Sequence, residues 1–172
     1  MKYCGIDCGS TGAVAFIEGA EYSVFDMPVK NDLYGGGEVV CFLELFELIY
    51  QNSPDLIVFE KQHPRFITGK IVSFAMGRNY QSVIHAVEKY STQGHKKVSV
   101  ICVKPEQWKT PLGVMTGKLK DKDNKNKLAI KEKTIELVKS IFPNAMIYGS
   151  KGGLKDGRCD ALAIAEYARR KY

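Results

Sequence analysis

Residues 1–26 read MKYCGIDCGSTGAVAFIEGAEYSVFD, and this stretch decides the fold. It holds three short segments rich in Val, Ile, Phe and Tyr: Lys2–Asp7, Ala13–Ile17 and Glu21–Asp26. The joints between them, Gly9-Ser10-Thr11-Gly12 and Glu18-Gly19-Ala20, are made of turn formers. Strand-like segments separated by such short joints predict an antiparallel meander.

Outward from the meander the pattern changes. Lys30–Gly37 reads as a polar, Gly-rich loop. From Glu38 to Gln51, Val39, Phe42, Leu43, Phe46 and Leu48–Ile49 recur at helical spacing. Ser53-Pro54-Asp55 stops that helix, Leu56–Phe59 predicts a short buried strand, and His63-Pro64-Arg65 a loop. Ser73–Tyr90 predicts a helix, broken at Gln93-Gly94-His95 before a strand over Lys97–Val103. Pro105 suits the first turn of a short helix carrying Trp108 and Lys109. Thr116–Lys127 is a lysine-dominated polar stretch expected to be mobile. An amphipathic helix follows over Lys127–Phe142, stopped at Pro143-Asn144, and a last helix runs from about Arg158 to Arg170. There is no internal repeat and no second core. A meander followed by α, β, α, β, α predicts one α/β domain over residues 1–172, a mixed five-stranded sheet flanked by helices.

The size, 172 residues, suits one such domain, and 45% hydrophobic with 26% charged residues excludes a disordered or fibrous chain. The longest apolar runs, Leu56–Phe59 and Val98–Val103, fall far short of the roughly 20 residues a membrane helix needs, so no membrane partner is expected. Met1–Ser10 lacks the charged and apolar regions of a secretion signal. Cys4, Cys8, Cys41, Cys102 and Cys159 form no CxxC pair, and His63, His85 and His95 complete no zinc spacing. Reduced cysteines in an intracellular protein are expected. Lys plus Arg (25) exceeds Asp plus Glu (19), a net +6 compatible with a polyanionic partner.

The acids carry the chemistry. The first strand terminates on Asp7 and the Leu56–Phe59 strand on Glu60. A strand buried on both faces can hold a carboxylate only at its solvent-reaching end. If the two strands are parallel neighbours they lie about 4.8 Å apart, and carboxylates that close repel by roughly 4 kcal/mol at an effective dielectric near 20. Either one stays protonated or a divalent cation sits between them. The plainer alternative has Asp7 capping a turn and Glu60 pairing with Lys61 or Arg65. Near the end of the chain, Asp156-Gly157-Arg158-Cys159-Asp160 leads into the Ala-rich run Ala161–Ala165. Acids in a first helical turn are also favoured by capping and the helix dipole alone. Taken with Asp7 and Glu60, they make three or four acids from distant parts of the chain. That constellation suits two-metal phosphoryl transfer, with cations about 3.5–4 Å apart.

Lys118, Lys120, Lys122, Lys125, Lys127, Lys131 and Lys133 form a candidate phosphate-contacting surface, or a solvated helix face diluted by Asp121, Asp123 and Glu132. Lys70 and Arg78 could extend it, and Phe66 or His63 could stack on an unpaired base or be plain loop residues. The turn Asp7-Cys8-Gly9-Ser10-Thr11-Gly12 also looks like the first phosphate loop of the actin and sugar-kinase superfamily. Those proteins duplicate the fold over two domains, and this chain has room for one.

Four blocks, in order along the chain, resemble a known family. They are Gly5-Ile6-Asp7-Cys8-Gly9; Val58-Phe59-Glu60-Lys61-Gln62 with Met76-Gly77-Arg78-Asn79-Tyr80; Lys104-Pro105-Glu106-Gln107-Trp108-Lys109; and Asp160-Ala161-Leu162-Ala163-Ile164-Ala165-Glu166-Tyr167. Together they resemble the RuvC-type Holliday junction resolvases of the RNase H-like superfamily, most of all the short phage-type branch. The resemblance implies an RNase H-like fold and a homodimer that cleaves four-way DNA junctions by paired symmetric nicks. It implies two Mg²⁺ per active site, with Mn²⁺ as a substitute, and residence in a bacterial or phage-infected cytoplasm or another DNA-containing compartment. On this likeness Asp7, Glu60 and Asp160 are metal ligands and Asp156 is the fourth acid. Lys109 then sits beside the scissile phosphate, and a lysine from Lys125–Lys127 approaches the backbone. Two positions depart from the pattern. The family usually spaces its late acids by three residues, where this chain has Gly157 and moves the acid to Asp156; and Gln81 stands where a small residue is usual. A less selective nuclease of flaps and branched replication intermediates, an inactive DNA-binding module and a single-domain relative of the kinases remain as alternatives.

Overall fold

The structure, a computed structural model, describes residues 1–32, 37–62, 69–93, 97–115 and 124–172, without the side chains of 124–126. The opening meander forms as its turns dictate: β1 (Lys2–Asp7), β2 (Ala13–Glu18) and β3 (Glu21–Asp26) are antiparallel neighbours. Two further strands, β4 (Val29–Asn31) and β5 (Glu38–Val40), form a small ribbon. They are followed by α1 (Phe42–Asn52), β6 (Leu56–Glu60), α2 (Lys70–Gln93), β7 (Ser99–Val103), α3 (Pro105–Lys109), α4 (Asn124–Ile141) and α5 (Asp156–Lys171). The main sheet has the order β3-β2-β1-β6-β7, with β1, β6 and β7 parallel. The α/β class, the mixed five-stranded sheet and its helical cover are as expected.

Strand parity sorts the core into two layers. Cys4 and Ile6 of β1, with Ile57 and Phe59 of β6, face α1 and α2 and pack on Leu45, Ile49, Val83, Val87 and Tyr90. Leu56 and Val58 face the other way, onto Trp108, Leu162 and Ala165. Gly5 lets α5 come unusually close: a Cβ there would lie 2.3 Å from the Ala161 carbonyl oxygen and 2.4 Å from the Ala165 nitrogen. Because side chains alternate along a strand, Asp7 shares the α5 side with Gly5, and Glu60 shares it with Leu56 and Val58.

Several boundaries depart from expectation: Lys30 and Asn31, expected in a loop, belong to strand β4, and the strand expected from Lys97 begins at Ser99. Glu38–Val40 is strand rather than helix, because it pairs with Val29–Asn31 and because Asn79 Oδ1 accepts from the buried Val40 N–H at 3.0 Å. The helix therefore starts after Cys41, whose N–H bonds the Pro28 carbonyl at 2.9 Å. Helix α2 begins at Lys70, ahead of Ser73, and leaves Ile71, Val72 and Phe74 exposed. Asn124–Lys127, expected to belong to a mobile stretch, is the first turn of α4, while 116–123 lie outside the described residues. Helix α5 starts at Asp156 rather than Arg158, which puts an acid in its first turn, where the helix dipole favours it. Among the described residues no helix is long and apolar enough to cross a membrane.

Candidate active site

Asp7 and Glu60 meet because β1 and β6 are parallel and in step. Ile6 lies opposite Phe59, so the next residue on each strand is a carboxylate, and both point to α5. Above them Asp160, in the second turn of α5, completes a group of three. Their nearness shows in their protonation. Burial pushes the Asp7 carboxyl well above the usual carboxylate range; Asp160 and Glu60 push it further, Lys109 opposes them and Asp156 adds to the rise. Burial also lifts Asp160 to about 6; Lys109 opposes this, Glu60 and Asp156 raise it, and Lys131 lowers it. The Cys8 thiol is pushed up by burial and then by Asp7 and Glu60, so it adds no charge.

The backbone around this group is fixed by close approach. Gly12 closes the β1–β2 turn with a 3.1 Å hydrogen bond from its N–H to the Gly9 carbonyl, and a Cβ on it would lie 2.0 Å from the Asp7 carbonyl oxygen. The same turn packs on α5: a Cβ on Gly157 would stand 2.5 Å from the Thr11 carbonyl oxygen. The Gln62 amide then ties the β6 exit to this turn by donating to the Cys8 carbonyl at 3.0 Å.

Helix α3 contributes the countercharges. Pro105 opens it and the Lys104 N–H is capped by Gln107 Oε1 at 2.8 Å. Trp108, fully buried, donates its indole N–H to Glu60 Oε2 at 2.7 Å. Lys109 lies over the Trp108 ring at 4.7 Å, close enough to the acids to lower both Asp7 and Asp160. From the other side α4 brings Lys131 into an ion pair with Asp156. Lys109, Lys127, Lys131, Asp156 and Asp160 line a cleft of about 180 Å³.

The expected acids and Lys109 are thus gathered at one end of the sheet. Among the described residues, however, no three acidic, histidine or cysteine side chains stand close enough as they are to share one ion. Glu60 is bonded to Trp108 and Asp156 to Lys131. Of the expected DNA-contacting residues, Lys127 faces the cleft and Lys70 is exposed at the start of α2. Arg78 is engaged with Asp32 at 2.7 Å and lies over the Phe74 ring at 5.7 Å, tying α2 to the segment after β4. His63, Phe66, Lys118, Lys120 and Lys122 lie outside the described residues, as does the side chain of Lys125. Sequence reasoning missed Trp108 as the partner of Glu60 and Lys131 as the partner of Asp156. The aromatic next to Lys109 was the available signal for the first.

No protein-family profile and no curated sequence matches the chain. Solved structures do. RuvC of Thermus thermophilus, in complex with a Holliday junction substrate, is 18% identical with a TM-score of 0.56, over 99% of this chain and 97% of that one. A second Thermus thermophilus RuvC structure aligns with the same identity and TM-score. The yeast mitochondrial Holliday junction resolvase Ydc2 is 15% identical with a TM-score of 0.50, covering 97% of this chain and 78% of that one. At these identities the likeness is one of fold, and the chain has the RNase H-like fold of the RuvC-type resolvases.

Proposed function

We propose that this chain is a structure-selective endodeoxyribonuclease that resolves four-way DNA junctions as a homodimer. The observation that carries the reading is the meeting of Asp7 and Glu60 at in-register ends of parallel strands, with Asp160 over them, in a fold shared with junction resolvases. Carboxylates crowded until their protonation is disturbed need a counter-cation, and an all-oxygen donor set suits a hard divalent ion. Asp7, Glu60 and Asp160 would hold Mg²⁺ (or Mn²⁺), with Asp156 as a fourth acid. Two such ions would supply activation of the attacking water and neutralisation of the leaving oxygen. The chain's own residues do the rest. Trp108 fixes the orientation of Glu60, Lys109 sets a positive charge beside the acids where a scissile phosphate would lie, and Lys127 extends that charge along α4. The dimer is supported by the exposed apolar side chains Ile71 and Phe74, which share one face of the first turns of α2, a surface that a second copy would cover.

Incubation of the protein and Mg²⁺ with a four-way junction, a flap and a linear duplex tests the reading. Paired nicks across the junction, with the duplex left intact, are expected. Equal cutting of flap and junction would replace it with a less selective nuclease, and no cutting in Mg²⁺ or Mn²⁺ would overturn it.

A further inference from the structure

Asp156 is displaced from the position where the family pattern puts an acid, and the structure gives both the cause and the consequence. On a helix, position 157 lies about 60° to one side of Asp160 and position 156 about 40° to the other. The first direction faces the β1–β2 turn. A Cβ at Gly157 would lie 2.5 Å from the Thr11 oxygen and 2.8 Å from Gly12 Cα, so no side chain fits there. The acid one residue earlier looks the other way, towards α4, and there Lys131 meets it in an ion pair whose members are each about half exposed (47% and 49%). Lys127, one turn before Lys131, faces the same cleft together with Lys109 and Asp160.

We infer that Lys131 is a positioning residue that acts through Asp156: its ammonium holds this acid as a resident counter-ion and yields it to a metal ion when DNA phosphate enters the cleft. The inference rests on the proposed metal reading and deepens it. An ammonium in contact with a carboxylate and a divalent ion on the same oxygens repel each other, so the two compete for Asp156. The cleft of about 180 Å³ has room for an anion, and Lys109, Lys127 and Lys131 line it beside Asp156 and Asp160. A backbone phosphate arriving there offers Lys131 a new acceptor, and the ammonium can change partner without being left uncompensated. Metal occupancy at Asp156 then rises with substrate binding, and by linkage metal strengthens DNA binding through the same residue.

The test is Mn²⁺ binding to the DNA-free protein, followed by electron paramagnetic resonance, in wild type, Lys131→Met, Asp156→Asn and the double variant. Lys131→Met should tighten the weaker Mn²⁺ site about tenfold, the scale expected of a single charge removed next to a half-exposed ion. In the Asp156→Asn background the same change should matter less than about twofold. Junction affinity in Ca²⁺ and in EDTA gives the second arm: Ca²⁺ should strengthen binding more in wild type than in Lys131→Met. An unchanged Mn²⁺ affinity in Lys131→Met, or an equal gain with and without Asp156, would overturn the role of Lys131 while leaving the nuclease reading intact. An equal gain from Ca²⁺ in wild type and Lys131→Met would overturn the coupling to DNA. No Mn²⁺ bound by any form would overturn both readings together.

Discussion

Asp7 and Glu60 are legible in the sequence because each closes a short apolar strand, and a strand buried on both faces leaves only its end for a charge. The hydrogen bond from Trp108 to Glu60 joins residues 48 apart by no spacing rule, which is why it emerges only from the fold. Its role makes a clean prediction. Trp108→Phe keeps most of the buried ring but removes the donor, and a hydrogen bond to a charged acceptor is worth about 1.5–3 kcal/mol. Cleavage should fall by about tenfold or more with junction binding unchanged, as measured by single-turnover kinetics beside a binding titration. Asp7→Asn and Glu60→Gln should go further and abolish cutting while keeping junction binding; near wild-type turnover in either would remove it from the metal set. The crowded acids also make stability depend on pH. Asp160 titrates near 6 when folded against 3.8 unfolded, so between those values the native state holds the extra proton. Stability of the metal-free protein therefore falls as pH rises through about 4 to 6. Asp26, lowered by its hydrogen bonds to Arg158, acts in the opposite sense and only below that window. Melting in EDTA should show Asp160→Asn flattening this slope and raising the melting temperature at pH 7.

At the scale of elements, the helices and strands with a single clear period were readable, and those serving two periods were not. Val39 fits the helical spacing of Glu38–Gln51, yet pairing with β4 and the Asn79 cap on Val40 claim this stretch for a strand. The start of α4 was hidden because a run of lysines and asparagines carries no apolar stripe, although it can still form a helical turn. The sequence also showed Gly157 where an acid was expected, without showing why. The reason is its contact with the β1–β2 turn, through which the turn holds α5 and Asp160 in place. Gly157→Ala should therefore cost about 1–3 kcal/mol by overpacking, read by urea unfolding. It should also weaken Mn²⁺ binding, because the relief of the clash moves the helix that carries Asp160. A variant with normal stability and normal Mn²⁺ affinity would show that the turn does not hold the acid.

Over the whole molecule, the charged cleft and the exposed apolar side chains belong to helices on opposite faces of the sheet, α4 and α5 on one and α2 on the other. The acids, Lys109, Lys127 and Lys131 gather at one end of the sheet, while the first turns of α2 carry Ile71, Val72 and Phe74 at 85%, 54% and 68% exposure. Ile71 and Phe74 stand three residues apart on one face of α2, and leaving both open to water costs about 25 cal/mol for each Å² that a partner would otherwise cover. A partner copy on this surface would place two active sites in one complex, as paired nicks require. Phe74→Glu tests this without touching the core, since the residue is exposed. The variant should melt near the wild-type temperature and sediment as a monomer, and wild type should sediment as a dimer. On a supercoiled plasmid with an extruded cruciform the difference is topological. Two cuts within the lifetime of one complex give linear DNA, whereas a single site gives a nicked circle, because the first nick releases the supercoiling that maintains the cruciform. Wild type should produce linear product and Phe74→Glu mainly nicked circles. If Phe74→Glu remains a dimer and still linearises the plasmid, the α2 surface is not the dimer contact.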